Sequence, residues 1–213
     1  MLIGILVIEI IMALLDELFP SMPESESGCV PRWENSDEPW KILDSSWAIT
    51  KQIGEKTGSP EGVFIHPTAL IGEHVTIEGP AYIGKNAIIR HSAYLRGGSW
   101  ISEGALVGHS TEIKNSILLP HSKAPHFNYV GDSILGFYVN LGAGTKLSNV
   151  RNDRAEIILS HKDDKKIITG MRKIGALVGD HSQIGCNVVA NPGTIIYPKT
   201  SISPNKTVSR WID

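Results

Sequence analysis

Three charged side chains in the middle of the chain follow one another at intervals of eighteen residues: Glu78, Arg96 and Lys114. Arginine offers a rigid bidentate fork and lysine a mobile point charge, a combination that suits the binding of a phosphoryl group. The same residues also suit a solvated ladder of ion pairs, and charge spacing alone favours this plainer interpretation. Phosphate binding requires a fold that places residues eighteen apart side by side.

A single histidine, His126, follows two prolines, Pro120 and Pro125, which predict a projecting loop over residues 120–128. A lone histidine on a loop is usually exposed to solvent and has no chemical role. Its ordinary pKa of about 6.5 nevertheless suits the removal of a proton from an amine at neutral pH. His126 is therefore a candidate general base only in a suitable context.

The elements that must position these residues are indicated by an aliphatic residue at every sixth position. Ten are in register: Ile65, Ile71, Ile77, Ile83, Ile89, Leu95, Ile101, Val107, Ile113 and Leu119. A small or β-branched residue follows most of them four positions later and is expected to be a second inward position at a tight corner. A period of six fits neither a helix nor a plain strand, and it predicts a solenoid of short strands and turns. The register returns from Val178 to Val208.

These hexads resemble those of the hexapeptide-repeat acyltransferases, whose fold is a left-handed parallel β-helix. From about Ile65 to Val208 the chain resembles the acetyltransferase half of the glucosamine-1-phosphate N-acetyltransferase and sugar-1-phosphate nucleotidylyltransferase family. The most specific strings are TEIKN (111–115), APHFNYVGDSILGFYVNLGAGT (124–145) and SN (148–149). The resemblance implies a mainly β protein with a left-handed parallel β-helix over residues 61–213.

In that family three hexads close each turn, so residues eighteen apart are expected to lie one above another, about 4.8 Å apart. Two of the three outer faces are then expected to be apolar, carrying Leu70, Ile88 and Leu106 on one and Tyr82, Trp100 and Leu118 on the other. The third face carries Thr76, Tyr94 and Glu112 beside Glu78, Arg96 and Lys114. The resemblance assigns Arg96 and Lys114 to a sugar phosphate, which favours a phosphate clamp over an ion-pair ladder.

The resemblance further implies acetyl-CoA as co-substrate and acetyl transfer to the amine of an amino-sugar 1-phosphate such as glucosamine 1-phosphate. Such a reaction belongs to nucleotide-sugar and cell-envelope precursor synthesis. His126 would be the base, oriented by Glu112, and Asn149 would help stabilise the oxyanion. The substrate-binding residues would be Arg96, Lys114, Tyr129 and Asn140. The backbone of Ala143 would meet the pantetheine arm, and no metal is expected.

The chain departs from the usual bacterial form shortly after Asn149, where that form carries a lysine. Residues 149–175 read NVRNDRAEIILSHKDDKKIITGMRKIG, and Arg154, Arg172 and Lys173 are the candidates to replace that lysine. A β-hairpin is predicted within the inserted arm, residues 150–173, from AEIILS, a charged turn and IITG. The departure leaves the identity of the amino sugar open.

Composition excludes some function classes. Lysine and arginine total 20 against 22 acidic residues, a net charge of −2, so no nucleic-acid surface is expected. Cys29 and Cys186 form no CxxC pair, as in a cytoplasmic protein with two incidental thiols.

The first fifteen residues are apolar, but the run is short, contains Glu9 and follows no basic residue, so we expect a packed helix rather than a membrane span or signal peptide. The first eleven residues are a candidate start-site artefact.

Residues 1–60 are predicted to form a helical and irregular segment that covers one apolar face of the β-helix. Contiguous exposed apolar columns are unusual on a soluble monomer, so both apolar faces need cover. The resembled family is trimeric, with active sites between chains. A homotrimer is therefore predicted, in which sister subunits cover what the N-terminal segment does not.

Two other function classes stay open. A zinc enzyme resembling the γ-class carbonic anhydrases would use the HxxxxH pair His121 and His126 and would need a third ligand from another coil or chain. A catalytically silent scaffold for a separate sugar nucleotidyltransferase is supported by the missing lysine and by the lack of a Gly-rich nucleotidyltransferase loop in residues 1–60. An enzyme is favoured because seven polar residues keep the family register: Arg96, Glu112, Lys114, His126, Tyr129, Asn140 and Asn149.

Overall fold

The computed structural model describes residues 14–22, 30–33, 38–44, 48–162 and 165–213. Short parallel strands dominate them, and a single antiparallel hairpin interrupts the series. In chain order the strands are β1 (Val63–Ile65), β2 (Leu70–Ile71), β3 (Thr76–Ile77), β4 (Ala81–Ile83), β5 (Ile88–Ile89), β6 (Tyr94–Leu95), β7 (Ser99–Ile101), β8 (Leu106–His109), β9 (Glu112–Lys114), β10 (Ile117–Leu118), β11 (Lys123–His126), β12 (Tyr129–Gly131), β13 (Ile134–Leu135), β14 (Asn140–Leu141), β15 (Lys146–Leu147), β16 (Ile158–Ser160), β17 (Lys166–Ile168), β18 (Ala176–Val178), β19 (Gln183–Ile184), β20 (Val189–Ala190), β21 (Thr194–Ile196), β22 (Ser201–Ile202), β23 (Thr207–Val208) and β24 (Trp211–Ile212).

Consecutive strands belong to three different sheets in rotation. The first sheet has the order β1-β4-β7-β10-β13-β18-β21-β24, the second β2-β5-β8-β11-β14-β19-β22, and the third β3-β6-β9-β12-β15-β20-β23. Every pair within these sheets is parallel, and each turn of the chain adds one strand to each sheet. The predicted fold class, a mainly β, left-handed parallel β-helix, is confirmed by this solenoid of about eight turns.

The interior of the solenoid is filled by the aliphatic ladder that the hexads predicted. Ile83, Leu95 and Val107 are fully buried there, and Ala87 and Ala105 confirm the second inward position at the corners. Burial of each aliphatic side chain contributes about 2 kcal/mol, so repetition of the ladder rather than any single contact stabilises the coil.

One part of the predicted ladder is wrong, because Leu118 rather than Leu119 follows Ile113 into the interior. Leu119 packs outside the coil, and Ile117 rather than Leu118 pairs with Trp100. The turn at Asn115, whose φ is 44°, is one residue shorter than a hexad requires. The vertical spacing therefore falls from eighteen residues to seventeen.

The projecting loop predicted at residues 120–128 is also wrong, because these residues contain β11. β11 pairs with β8 below and β14 above, and Ala124 continues the buried ladder. Pro125 is accommodated because the paired residues lie on either side of it: Ala124 pairs with Val107 and His126 with His109. The coil therefore runs through the region where the sequence pattern weakens.

The inserted arm contains the predicted β-hairpin, formed by β16 and β17 in antiparallel pairing. An antiparallel bridge between Val150 and Lys173 closes its base, and residues 163–164 of its turn lie outside the described residues. Its inner side is apolar, with Ile157 and Leu159 buried against the outer surface of the first sheet.

The described part of the N-terminal segment covers the first sheet. It contains helical residues 14–18, a 3₁₀ helix (Pro39–Leu43) and helix α1 (Ala48–Thr57). Beneath it, Phe64, Tyr82 and Trp100 stack with ring centroids 5.1 and 4.1 Å apart. Most of the predicted first helix, the start-site question and Cys29 lie outside the described residues. Across the residues that are described, no helix has the length and apolarity to cross a membrane.

Candidate active site

The outward row of the third sheet carries two of the predicted site residues, Glu112 and Tyr129. Tyr94, Glu112 and Tyr129 occupy successive rungs of β6, β9 and β12. Arg96 donates from Nη1 to Oε1 of Glu112 over 3.0 Å, and this hydrogen bond raises the pKa of the Arg96 guanidinium above its ordinary value. The hydroxyl of Tyr94 donates to Oε1 of Glu78 over 2.5 Å. This face is a polar, partly exposed ladder.

Tyr129 connects this ladder to Asn149. The Tyr129 side chain is half-buried, and burial, followed by the negative charges of Glu112 and Asp132, raises the pKa of its phenol above the ordinary value of 10.0. The phenol therefore stays protonated at neutral pH and donates to Oδ1 of Asn149 over 3.4 Å. Two residues that the sequence assigned to one site are in contact.

A buried carboxylate, Asp132, organises the corner at which the third sheet leads into the first. Its side chain is only 4% exposed and accepts from Nζ of Lys114 over 2.8 Å. Asn115 donates from Nδ2 to Oδ1 of Asp132 over 2.8 Å, and Nδ2 of Asn149 donates to its Oδ2. We call Lys114, Asn115, Asp132 and Asn149 the corner network. Burial of a carboxylate is tolerated here because three donors share its charge.

Sequence reasoning missed Asp132, although it lies within the family-like string that includes Tyr129. Asp132 lies at a shortened turn with a φ of 44°, between Lys114 and Asn115 of the preceding turn and Asn149 of the following one, and its carboxylate accepts from all three. The two predicted phosphate-binding cations each face a carboxylate: Arg96 pairs with Glu112, and Lys114 with Asp132.

The remaining predicted site residues lie on the other side of the third sheet, where the second sheet leads into it. His126 is exposed at the end of β11 and is the rung partner of His109. Its backbone N–H donates to Oδ1 of buried Asn128 over 3.0 Å, and Asn128 donates in turn to the carbonyl of Gly142 over 2.7 Å. Asn140 lies in the second sheet, and Ala143 in the turn after it. Within one chain, His126, Asn140 and Ala143 are thus separated from the corner network by the width of the third sheet.

The histidines proposed for a zinc site lie apart. His121 stacks on Tyr138, with centroids 4.9 Å apart, at the corner between the first and second sheets, whereas His126 lies at the other end of β11. His91 and His109 stack 4.1 Å apart on the side of His126. Within the ranges that the structure describes, no group of three or more His, Cys, Asp or Glu side chains is placed to hold a metal ion.

A cleft of about 600 Å³ opens beside the corner network. One wall is formed by the N-terminal segment at Leu43 and Asp44, and the opposite wall by Gly170, Met171, Arg172 and Lys173 at the base of the hairpin. Lys114, Asn115 and Asp132 line it between these walls, together with Gly97 and Gly98. Arg172 and Lys173 thus lie beside the corner network, whereas Arg154 does not line the cleft.

A known family and known proteins resemble this chain over most of its length. A family model described as "GMPPB C-terminal domain" matches residues 77–212. A bifunctional sugar-1-phosphate nucleotidylyltransferase/acetyltransferase of Sulfurisphaera tokodaii is 37% identical over 187 residues, which cover 84% of this chain and 46% of that protein. The bifunctional protein GlmU of Methanococcus aeolicus is 35% identical over 189 residues, 85% of this chain and 46% of that protein. The chain therefore spans about half the length of these relatives.

The solved structures are more distant. The structure of PerB from Caulobacter crescentus, in complex with CoA and GDP-perosamine, covers 75% of this chain and 60% of its own, with 16% identity and a TM-score of 0.38.

Proposed function

The chain belongs to the family described as GMPPB C-terminal domain, and from this premise we propose that it is an acetyl-CoA-dependent N-acetyltransferase acting on an amino-sugar 1-phosphate. Two relatives with at least 35% identity over most of this chain are bifunctional proteins, one of which carries an acetyltransferase in its name. Glucosamine 1-phosphate is the leading acceptor. We assign the product to nucleotide-sugar and cell-envelope precursor synthesis.

The observation that carries this proposal is the contact of Tyr129 with Asn149 and of Asn149 with Asp132. A neutral phenol and an amide held by a buried carboxylate are preorganised hydrogen-bonding groups of the kind that orient a substrate and stabilise a developing charge. A scaffold that only packs against a partner does not require a buried carboxylate with three polar partners beside an open cleft.

In the proposed mechanism His126 removes a proton from the sugar ammonium, and Glu112 helps to orient the His126 side chain. The free amine attacks the thioester carbonyl of acetyl-CoA, a C–N bond forms, and the C–S bond breaks to release the thiolate of coenzyme A. The attacking nitrogen loses its second proton as the amide forms, and the thiolate takes up that proton to give the thiol of coenzyme A. The first proton passes from His126 to solvent, so one proton is released overall. Asn149 Nδ2 and nearby backbone N–H groups stabilise the oxyanion of the intermediate.

Substrate and cofactor binding use the remaining predicted residues. Arg96, Lys114, Tyr129 and Asn140 bind the sugar phosphate, and the backbone of Ala143 meets the pantetheine arm of acetyl-CoA. Because Arg96 and Lys114 already face carboxylates, the phosphate shares these cations with Glu112 and Asp132 rather than meeting free charges.

We further propose that the active site forms between subunits of a homotrimer. His126 and Asn149 lie on opposite sides of the third sheet in one chain, and a contact between chains at this sheet brings the His126 of one chain towards the Asn149 of another. The second sheet also leaves an apolar row uncovered, in which Leu70 is 63% exposed. A contact through that row would bury it. Light scattering that gives a monomeric mass would contradict the assembly.

The proposal is tested by measuring thiol release from acetyl-CoA with glucosamine 1-phosphate, galactosamine 1-phosphate and glucosamine. We expect turnover that requires the phosphate, and a loss of about 10²–10⁴-fold in kcat in His126→Ala, as is usual for removal of a general base. His109→Ala, the neighbouring exposed rung, is the matched control and keeps most activity.

Three outcomes would redirect the assignment. A folded trimer that neither turns over nor binds acetyl-CoA would favour the scaffold. One zinc ion per chain, measured by elemental analysis, would revive the metalloenzyme. Equal activity of His126→Ala and the unsubstituted protein would leave the transferase in place and remove His126 as its base.

A further inference from the structure

We propose that Phe127 contacts the acyl group of the thioester donor and limits the length of the acyl chain that is transferred. This inference rests on the proposed function, because it takes His126 as the base and the turn at Ala143 as the pantetheine contact. Phe127 lies between these two positions. It follows His126 in the sequence, and its Cε2 atom lies 3.9 Å from the point where Gly144, the residue after Ala143, would carry a Cβ atom.

The first argument is that Phe127 presents an apolar ring to solvent from an uncommon backbone conformation. The residue is 55% exposed, and its φ of 36° lies in the left-handed region, where bulky side chains are rare. Of the described non-glycine residues with positive φ, it is the one whose side chain is entirely apolar. A single exposed apolar residue is common on protein surfaces, so its place beside the proposed chemistry decides the interpretation.

The second argument is the distance from Phe127 to that chemistry. The ring centroids of His126 and Phe127 are 6.2 Å apart. An amine that gives its proton to His126 lies about 3 Å from the imidazole, and its attack on a carbonyl begins at about 3–3.5 Å. The acyl carbon therefore lies within about 6–7 Å of His126. An acyl chain that extends from there towards Phe127 meets the ring within a short distance.

The third argument is that the backbone around Phe127 is held by hydrogen bonds. Its own N–H donates to the carbonyl of His109 over 2.8 Å, and the N–H of Gly144 donates to the carbonyl of His126 over 3.1 Å. The side chain of Asn128, which is buried, accepts from the N–H of His126 over 3.0 Å. A ring on a backbone that is fixed in this way can set a limit on the size of a ligand.

The neighbouring turns leave room for a ligand beside the ring. Ser110 and Gly144 occupy the equivalent positions in the turn before and the turn after Phe127, and both have positive φ angles. Both residues are small, so the ring keeps an open side there. At Gly144 this open side adjoins Ala143, where the pantetheine arm is proposed to lie.

An apolar cover for Phe127 could come from the acyl donor or from a sister subunit. We assign it to the donor because the ring lies between the proposed base, His126, and the proposed pantetheine contact at Ala143. A sister chain that covered the ring at this point would take the place of the substrate. The experiment separates the two sources by measuring acyl preference and assembly in the same variants.

The test measures kcat/KM for acetyl-CoA, propionyl-CoA and butyryl-CoA with glucosamine 1-phosphate, by thiol release from the full chain. We expect the unsubstituted protein to prefer acetyl-CoA to butyryl-CoA. Phe127→Ala should lower that preference about 10-fold or more, because removal of the ring admits the longer chain. Phe127→Leu should give an intermediate preference. Tyr138→Ala removes another exposed ring with positive φ, at the other corner of the second sheet, and as the matched control keeps the preference unchanged.

Calorimetric titration with the same donors in the absence of acceptor separates this inference from the proposed function. A difference in affinity between acetyl-CoA and butyryl-CoA that disappears in Phe127→Ala, without transfer to an amino-sugar phosphate by the unsubstituted protein, would keep the inference and remove the acceptor. Transfer with the same acyl preference in Phe127→Ala and the unsubstituted protein would keep the function and overturn the inference.

Three further outcomes would also overturn the role of Phe127. Loss of the trimer in both Phe127→Ala and Phe127→Leu, measured by light scattering, would assign the ring to a contact between subunits. If Phe127→Ala does not fold, an unchanged acyl preference in Phe127→Leu would decide against the inference. Failure of the folded, unsubstituted protein to bind any of the three acyl-CoA donors would overturn it outright.

Discussion

The outer surfaces of the first and third sheets are built on the same buried ladder and yet have opposite properties. The first sheet presents Tyr82, Trp100 and Ile117 on successive rungs, all of them buried beneath the N-terminal segment. The third presents Tyr94, Glu112 and Tyr129, which remain partly exposed and hydrogen-bonded. A parallel β-helix fixes the position of every outward residue, so the side chains alone decide whether a face packs or remains open.

The difference shows how the fold separates stability from chemistry. On the first sheet, apolar rungs recruit the N-terminal segment and the hairpin, and both contribute to one continuous hydrophobic cluster. On the third sheet, charged rungs remain partly in contact with water and keep a surface that a ligand can reach. The corner network joins the two, because Asn115 also donates to the carbonyl of Leu43 over 2.7 Å and so fastens the N-terminal segment to the corner.

The comparison is tested most strongly by Trp100→Ala on the covered face. Trp100 is 1% exposed and stacks on Tyr82, so its removal leaves a large cavity and is expected to lower the free energy of unfolding by about 3–5 kcal/mol. Thermal denaturation measures the loss. Tyr94→Ala on the open face is the counterpart and should cost less than about 1 kcal/mol. Equal losses at the two positions would refute the separation of roles.

Trp100→Phe sharpens that result. Among the described residues the buried Nε1 atom of Trp100 has no hydrogen-bond partner. Phenylalanine keeps the aromatic stack and removes this unsatisfied donor. The Trp100→Phe variant should therefore keep most of the free energy of unfolding that Trp100→Ala loses. A Trp100→Phe variant as unstable as Trp100→Ala would show that the indole does more than fill space.

The second prediction compares a buried ion pair with an exposed one. Asp132→Asn leaves the Lys114 ammonium without its counter-charge and places an amide among other donors, so a loss of about 2–4 kcal/mol is expected. Glu112→Gln, whose pair with Arg96 is more than one-third exposed on both sides, should cost less than about 1 kcal/mol. Urea denaturation of both variants measures the difference. A larger loss of unfolding free energy in Glu112→Gln than in Asp132→Asn would show that the corner network is not the stabilising element.

The sequence predicts the solenoid because a six-residue period leaves no other regular structure. It also predicts the rung of Tyr94 and Glu112, where the hexads are unbroken. It does not predict the turns of seventeen residues. The shorter corners are recognised from the positive φ angles of Asn115 and Asp132, which are known only from the structure. Prolines suggested a loop at residues 120–128 because the pattern alone does not show that neighbouring residues pair around Pro125.

The candidate site follows the same division. Glu112, Tyr129 and Asn149 were predicted from family-like strings, and the structure brings them together. Asp132 was missed because a single aspartate in a turn has no distinctive spacing. The place of Arg172 and Lys173 depends on the return path of the hairpin, which a sequence pattern does not give. The roles of these side chains and the domain limits of 1–60 and 61–213 remain predictions.

The smallest expected effect concerns the half-buried phenol of Tyr129 on the border between the two regions. Its raised pKa means that folding favours the neutral phenol, so its contribution is complete below the unfolded pKa of about 10 and is lost as pH rises through the higher folded value. Between about pH 9 and 11 the unsubstituted protein should therefore lose more thermal stability than Tyr129→Phe, which has no proton to release. Tyr138→Phe, at an exposed tyrosine, is the control and should follow the unsubstituted protein. Parallel curves of thermal stability against pH for all three proteins would mean that the Tyr129 phenol is as well solvated as the phenol of an exposed tyrosine. The boundary between the packed and the open surface would then lie closer to the interior than the contact of Tyr129 with Asn149.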